Sequence, residues 1–216
     1  MSYEGKQIGG KDVNEVFFTG RRTTNFRFSH NYKSESFYMA EFVAERSSGY
    51  EDCIPVMVSA GQRDMFPEIG DDCVCITGRF RSYNCIEQGR RRLILSLFAE
   101  KVDVPNRKMD FAARNCIYLE GYVCKETVYR ITPSGRKITE ILMAVNRPDK
   151  GADYLPCISW GKGALYAADF LVGDRIWLEG RIQSRDYIKV YDDGKVETRT
   201  AYEVSAFEVG RLEIKG

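Results

Sequence analysis

Apolar and polar residues alternate along most of this chain in short segments rich in Val, Ile, Phe, Tyr and Thr. Gly, Pro, Asn or Asp separates these segments at intervals of roughly ten residues, which is typical of an all-β sandwich or barrel. In the second half, the pattern predicts five strands, near 115–125, 136–147, 153–160, 174–187 and 197–210.

One segment of the second half departs from the strand pattern. In "GALYAADFL", Gly163 to Leu171, the residues Leu165, Ala168 and either Leu171 or Phe170 recur at helical spacing. We therefore predict a short helix between the third and fourth strands. The corresponding stretch of the first half, "GQRDMFPEI", contains Pro67, so its helix is expected to be brief or irregular.

The two halves of the chain repeat each other. "NEVFFTG" at Asn14 returns as "NCIYLEG" at Asn115. In the same register Arg46 matches Arg147 and Pro55 matches Pro156, and "GDDCVCITGRFRS" then aligns with "GDRIWLEGRIQS" after a small slip. Such ordered self-similarity indicates duplicated structural units.

We place a domain boundary near Asp103 to Arg114, where a proline and several charges interrupt the strand pattern. The predicted domains are residues 1–104 and 115–212. Five strands with a helix between the third and fourth describe the OB-fold, a partly open barrel that commonly binds oligonucleotides or oligosaccharides. The prediction is an all-β protein of two tandem five-stranded OB-fold barrels.

Charge and composition exclude several classes of protein. The 32 Lys and Arg residues nearly balance 31 Asp and Glu, so a polyanion would have to be held by a local groove. His30 is the only histidine, and no Cys and His cluster has metal-ligand spacing, so we expect neither an enzyme nor a cofactor. The seven cysteines form no C-x-x-C pair and are predicted to be reduced structural thiols. No long apolar run or signal sequence is evident, which favours a cytoplasmic protein without a membrane span.

A basic and aromatic stripe follows the fourth strand of both halves. In the second half, Ile176, Leu178, Gly180 and Ile182 are predicted to face the barrel interior. The opposite face then carries Trp177, Glu179, Arg181, Gln183, Arg185 and Tyr187. The first half repeats this arrangement, with Val74, Ile76, Gly78 and Phe80 inside and Thr77, Arg79, Arg81 and Tyr83 outside. Single-stranded nucleic acid and protein interfaces both use such residues, and the stripe alone does not choose between them.

The third strand of the second half favours nucleic acid. Tyr154 and Trp160 fall on one face of this strand, and Lys162 follows directly. A tryptophan beside a Gly-Lys turn suits base stacking, with a structural role as the alternative. Trp160 is the strongest candidate for a stacking platform.

The second half resembles the bacterial single-stranded DNA-binding protein family over nearly all of 115–210. The resemblance is carried by "YRITPSGRKITEILMAVNRP", "ADYLPCISWGKGA" and "GDRIWLEGRIQSRDY". It implies that Tyr154, Trp160 and Tyr187 stack on bases. It also implies that basic side chains lie near the DNA path at Arg147, Lys162, Arg181 and Arg185.

The first half resembles the family only in outline, since it lacks the Thr-Pro-Ser-Gly turn and the counterpart of Trp160. The DNA contacts that it could offer are Arg46, Tyr50, Arg79, Arg81 and Tyr83, with "GRRR" at Gly89–Arg92 as a further phosphate contact. Family members with one domain per chain commonly form tetramers, so the resemblance implies a homodimer with four barrels. The acidic recruitment tail of the family is not present after "RLEIKG"; either the protein does not recruit partners that way or the natural chain is longer.

The leading hypothesis is a protein that coats single-stranded DNA without strong sequence preference in replication, recombination or repair. The alternative is a tandem-OB, primosome-like or assembly scaffold with weak DNA affinity. Oligosaccharide binding would predict an exported protein, which the absence of a signal sequence disfavours.

Overall fold

The computed structural model describes residues 12–70, 72–87, 90–104, 115–191 and 193–212, with the backbone alone for 85–87 and 90–92. The first half contains β1 (Val13–Arg22), β2 (Arg27–Tyr32), β3 (Glu35–Glu45), β4 (Glu51–Ser59), α1 (Ala60–Arg63), β5 (Cys73–Glu87) and β6 (Arg90–Asp103). The second contains β7 (Asn115–Val123), β8 (Val128–Ile131), β9 (Lys137–Asn146), β10 (Ala152–Trp160), α2 (Gly161–Ala167), β11 (Arg175–Val190) and β12 (Val196–Arg211).

Strand pairing produces two OB-fold barrels. In the first barrel the pairings run β1–β5–β6–β4–β3 and return from β3 to β1. The second barrel repeats this order as β7–β11–β12–β10–β9, with β9 returning to β7. The predicted all-β class with tandem OB-folds is therefore confirmed. As expected, the first helix is brief, spanning only Ala60–Arg63.

The predicted strands of the second barrel agree with the observed ones to within a few residues, and one further short strand lies outside the five predicted ranges. β8 spans only Val128–Ile131 and is exposed throughout, so no alternation of burial reveals it. It pairs with β9 across the Thr-Pro-Ser-Gly turn.

The predicted short helix is present as α2, although only Phe170 of the positions named for its spacing is buried. The helix ends at Ala167, and it buries Ala164 and Ala167, with Phe170 buried just beyond. Leu165 and Leu171 are exposed instead.

Alternation along β5 and β11 fixes which residues fill the barrels. Val74, Ile76 and Phe80 are buried in the first barrel, and Ile176, Leu178 and Ile182 are buried in the second, as predicted. A β-bulge interrupts the pairing of each strand with its neighbour at the same place, opposite Thr77 and Gly78 on β5 and opposite Glu179 and Gly180 on β11. A Cβ on Gly78 would lie 2.0 Å from the Phe98 carbonyl oxygen, so the close backbone approach requires glycine.

The two barrels are joined through their first strands. β1 and β7 pair antiparallel, and Val16 lies opposite Ile117. The repeat makes these two residues equivalent, so a pseudo-twofold axis passes between them and relates the barrels. The sheet is consequently continuous from one barrel to the other.

A reciprocal polar contact also links the barrels. Asp153 at the start of β10 accepts a hydrogen bond from the Ser82 backbone N–H at 2.7 Å, and Ser82 Oγ accepts one from the Tyr154 N–H at 2.7 Å. The pseudo-twofold copy joins Asp52 to the N–H of Ser184 at 2.9 Å, with Ser184 Oγ accepting from the Cys53 N–H. We call these two contacts the barrel clasps.

Candidate nucleic-acid interface

A groove of about 620 Å³ opens on the second barrel where it meets the first. Its lining includes four arginines, Arg46, Arg136, Arg181 and Arg185. It also includes three aromatic rings, Tyr50, Trp160 and Phe207. We call it the Trp160 groove. Guanidinium groups beside rings can contact phosphates and stack on bases in the same site.

Arg181 is the central cation of the Trp160 groove. β11 directs it out of the barrel, and its guanidinium lies 5.5 Å from the Phe207 ring centroid. Among the described residues it has no ion pair, and its buried Nε has no hydrogen-bond partner. Burial, reinforced by the nearby Arg46, lowers the pKa of Arg181. Because arginine keeps its charge at neutral pH, an anionic ligand would relieve this unfavourable environment.

Trp160 ends β10 at the wall of the groove. The side chain is half-buried, and its indole Nε1–H donates a hydrogen bond to Ser205 Oγ at 3.0 Å. This bond satisfies the polar edge of the indole and fixes the ring relative to β12. The ring is therefore held in position before any ligand binds.

The first barrel supplies a cation and a ring to the same groove. Arg46 donates from Nε and Nη2 to the two carboxylate oxygens of Asp52, at 2.7 and 2.5 Å. The hydrogen bond with Asp52 is the main cause of the raised pKa of Arg46. The Arg46 guanidinium also lies 4.5 Å from the Tyr50 ring centroid. Since Asp52 belongs to a barrel clasp, the clasp holds Arg46 and Tyr50 against the second barrel.

The Thr-Pro-Ser-Gly turn positions the remaining basic wall. Gly135 adopts a φ of +78°, and Thr132 closes the turn by accepting a hydrogen bond at Oγ1 from the Arg136 N–H at 3.0 Å. Arg136 follows this turn and lines the groove. Arg185 lies opposite on β11, 3.9 Å from the buried carboxylate of Glu203. Arg136 and Arg185 can therefore both approach a nucleic-acid strand that lies in the Trp160 groove.

Three other predicted DNA contacts lie on the second barrel but outside the lining of the groove. Tyr154 is on the same face of β10 as Trp160, with 44% of its surface exposed. Lys162 is exposed near the start of α2, and Tyr187 lies farther along β11. The structure groups Trp160, Arg181 and Arg185 and leaves these three around them.

Arg147 lies in a barrel clasp. Its guanidinium donates to Asp153 and to the Ser82 carbonyl oxygen. Arg81 donates to the other carboxylate oxygen of Asp153 at 3.2 Å. Two of the predicted phosphate contacts thus share one buried carboxylate at the boundary between the barrels.

The remaining predictions fall on the first barrel. Arg79 donates from Nε to Glu100 at 2.5 Å, and Tyr83 is half-buried on the same face of β5. The predicted contact at Gly89–Arg92 lies outside the residues whose side chains the structure describes.

Sequence reasoning did not find Phe207, and it left Arg136 without an assigned role. Phe207 is the extra residue of the bulge opposite Glu179 and Gly180, so the bulge turns it toward Arg181. The alternation of apolar and polar residues along β12 does not predict the direction of Phe207. The only signal available is that β12 pairs with the Gly180 segment, where the repeat places a β-bulge in both barrels. Arg46 and Tyr50 had been considered as contacts of the first half, but they line the groove of the second.

No group of three or more His, Cys, Asp or Glu side chains suited to a metal ion occurs in the described ranges. Neither helix in the part of the chain that the structure describes is long and apolar enough to cross a membrane.

The fold and groove define a tandem OB-fold protein with one strongly basic and aromatic cleft. The model of the "Single-strand binding protein family" matches residues 114–212. The second barrel is therefore similar to this family over 99 of the 216 residues of the chain. The family description names binding rather than a reaction, in line with the expectation from the sequence.

The chain is also similar to proteins of known name and to a solved structure. "Single-stranded DNA-binding protein 3" of Listeria innocua is 36% identical over 80 residues, covering 34% of this chain and 50% of that protein. The "Single-stranded DNA-binding protein" of Halalkalibacterium halodurans is 32% identical over 109 residues, covering 47% and 62%. The matched part of the chain thus spans about half to three-fifths of the length of these relatives. The crystal structure of the single-stranded DNA binding protein from Thermus aquaticus has the same fold, with a TM-score of 0.74 over 96% of each chain at 18% identity.

Proposed function

We propose that this protein binds single-stranded DNA in the Trp160 groove, with little preference for base sequence. The observation that carries the proposal is the arrangement of Arg181, which has no ion pair among the described residues, lies over the Phe207 ring and lines the same groove as Trp160. Stacking tolerates every base, because every base has a π face, and the arginines follow the phosphates.

The bound DNA strand would continue beyond the Trp160 groove over exposed residues of the second barrel. Tyr154 lies farther along the Trp160 face of β10, and Tyr187 lies farther along β11 from Arg185. We infer that these rings and Lys162 extend the binding path on the second barrel. Arg147 would contribute mainly by holding the barrel clasp, since it already contacts Asp153.

The biological role follows from preferential binding to unpaired DNA. A protein that binds single strands better than duplex shifts the equilibrium toward the open form by mass action. We infer that it coats and protects single-stranded DNA in the cytoplasm during replication, recombination or repair.

We also propose that the chain consists of two domains, residues 1–104 and 115–212.

We also propose a homodimer with four barrels. The outer face of β1 and β7 carries Phe17, which is 41% exposed, opposite Cys116 in the register. Nearby, the rings of Tyr118 and Trp177 stack with centroids 6.4 Å apart. An exposed ring near the centre of a continuous sheet suits packing against a second copy, and closed twofold dimers are the commonest assemblies.

Titrating an oligo-dT strand while following tryptophan fluorescence tests the DNA proposal. Trp160 and Trp177 are the only two tryptophans, so Trp160→Phe shows which of them responds. We expect quenching in the native protein and near-native affinity with a much smaller signal in Trp160→Phe. Trp160→Ala should cost about 1–3 kcal/mol of binding free energy.

Absence of both the fluorescence change and gel retardation at low salt would reject the proposal. Weak binding that is insensitive to Trp160→Ala would instead support the scaffold alternative. Gel retardation of Trp160→Phe with an unchanged Kd would show that ring stacking, and not the indole N–H, is what the site requires.

A further inference from the structure

The pseudo-twofold axis relates the Trp160 groove to an equivalent surface on the first barrel, which we call the Arg79 surface. Because Val16 corresponds to Ile117, each residue of the first barrel has a definite counterpart in the second. Arg79 corresponds to Arg181, because each arginine directly follows the glycine that lies opposite the β-bulge of its barrel. The Arg79 surface can therefore be compared with the groove position by position.

The bulge residue differs in charge between the two surfaces. Glu100 is the extra residue of the first bulge, and Phe207 is the extra residue of the second. Arg79 forms an ion pair with Glu100 at 2.5 Å, whereas Arg181 lies over the Phe207 ring without a partner among the described residues. The charge of the central arginine is thus balanced by a carboxylate on the first barrel. On the second barrel the arginine is available to pair with a phosphate.

The second difference concerns the clasp carboxylates. Asp153 pairs with both Arg147 and Arg81. The counterpart of Arg81 in the second barrel is Gln183, which instead donates to Glu203 at 2.7 Å. All three arginines of the Arg79 surface are consequently engaged by carboxylates.

The rings are also missing from the equivalent positions. Ser59 replaces Trp160 and Gly151 replaces Tyr50 in the repeat. Phe98 occupies the position of Ser205, but it packs on the buried Phe37 with ring centroids 5.7 Å apart. Glu35 replaces Arg136, which adds another negative charge.

We propose that each chain carries a single groove for single-stranded DNA and that the Arg79 surface is not a second one. The first barrel serves the site in another way, by supplying Arg46 and Tyr50 across the boundary between the barrels. This inference rests on the proposed function. In a homodimer with four barrels it gives two grooves, one for each chain.

Matched alanine variants at the two equivalent arginines test the proposal. Arg181→Ala should weaken binding of an oligo-dT strand about tenfold at low salt, measured by fluorescence anisotropy. It should also reduce the slope of log K against log salt by roughly 0.7, as loss of one phosphate contact on a single strand does. Arg79→Ala should change affinity by less than about twofold, because it removes only an exposed ion pair.

A stoichiometry measurement provides an independent test in the wild-type protein. Native mass spectrometry with a short strand of about eight nucleotides, within the range covered by one OB-fold, should show one strand per chain at saturation. Two strands per chain, or equal losses of affinity in Arg79→Ala and Arg181→Ala, would overturn the inference. Failure of the wild-type protein to bind any oligo-dT strand would instead remove the proposed function itself. Thermal melts of both variants distinguish loss of binding from loss of folding.

Discussion

Asp153 of the second barrel accepts a hydrogen bond from the Ser82 backbone N–H of the first at 2.7 Å, and its side chain is only 1% exposed. The same carboxylate pairs with Arg81 and Arg147. Removing its charge would leave two largely buried cations without a counterion, a change that is strongly destabilising in protein interiors. We predict that Asp153→Asn lowers the free energy of unfolding by about 2–4 kcal/mol.

Urea denaturation followed by circular dichroism would measure this loss. Asp149→Asn is the matched control, because Asp149 is exposed on the loop just before β10 and, among the described residues, has no ion pair and accepts one hydrogen bond, from the Gly151 N–H at 3.4 Å. Equal denaturation midpoints for the two variants would show that the clasp contributes little to stability.

The clasp also explains why the sequence predicted the fold better than the site. Strand alternation placed Ile176, Leu178 and Ile182 correctly, because a barrel strand has one buried and one exposed face. The repeat then gave the architecture. By contrast, the contacts of Arg147 with Ser82 and Asp153 depend on how the two barrels pack, and a pattern within one repeat does not contain that information.

Local irregularities account for the other differences. The β-bulge at Gly180 reorients Phe207, and this change of direction breaks the two-residue period on which the prediction depends. In α2, both sides of the segment are apolar enough to serve as the buried face. Close packing selected the small Ala164 and Ala167 and left Leu165 exposed.

The bulge itself supplies a second prediction. A Cβ at Gly180 would lie 2.3 Å from the Ser205 carbonyl oxygen, and a backbone atom cannot move away cheaply. We expect Gly180→Ala to destabilise the protein by about 2 kcal/mol or more and to weaken DNA binding, because β12 carries Phe207 and Ser205.

Gly61→Ala is the appropriate comparison for Gly180→Ala. Gly61 lies in α1 with no atom near the position of an added Cβ, so this variant should be neutral or slightly stabilising. Thermal unfolding of both proteins would measure the difference. Similar melting temperatures would contradict a requirement for close approach of the strands at Gly180.

Phe207 is a groove residue at which binding can be tested separately from stability. Its side chain is 55% exposed, so truncation should remove little from the core. We expect Phe207→Ala to reduce the free energy of binding to oligo-dT by about 1 kcal/mol, with a nearly unchanged melting temperature. The control is Leu171→Ala, at a more exposed apolar residue outside the groove lining, and it should alter neither quantity. Equal DNA affinities for the two variants would exclude Phe207 from the binding surface.

The cysteines should differ widely in reactivity. Cys73 and Cys116 are exposed, whereas Cys157 is buried. Burial, with a smaller effect of Glu203, raises the pKa of Cys157, and burial together with Glu41 raises the pKa of Cys53 to about 11. Since the thiolate is the reactive form, a raised pKa means less reactive sulfur at a given pH.

At pH 8, a disulfide reagent should therefore modify Cys73 first, Cys53 slowly, and Cys157 only after unfolding. Mass spectrometry of the labelled peptides would assign each site. Raising the pH toward 11 should accelerate labelling of Cys53 as its thiolate fraction increases. Rapid modification of Cys157 in the folded protein at pH 8 would contradict the buried position of its thiol.

The proposed homodimer depends on the outer face of β1. Phe17 is exposed there beside Glu15 on the same strand, so a carboxylate at position 17 would place like charges together where a second sheet is expected to pack. We predict that Phe17→Glu halves the mass measured by light scattering, while Leu171→Glu leaves it unchanged. Because the Trp160 groove is built from one chain, the separated protein should still bind a short oligo-dT strand. An unchanged mass for a folded Phe17→Glu variant would show that this face does not form the dimer.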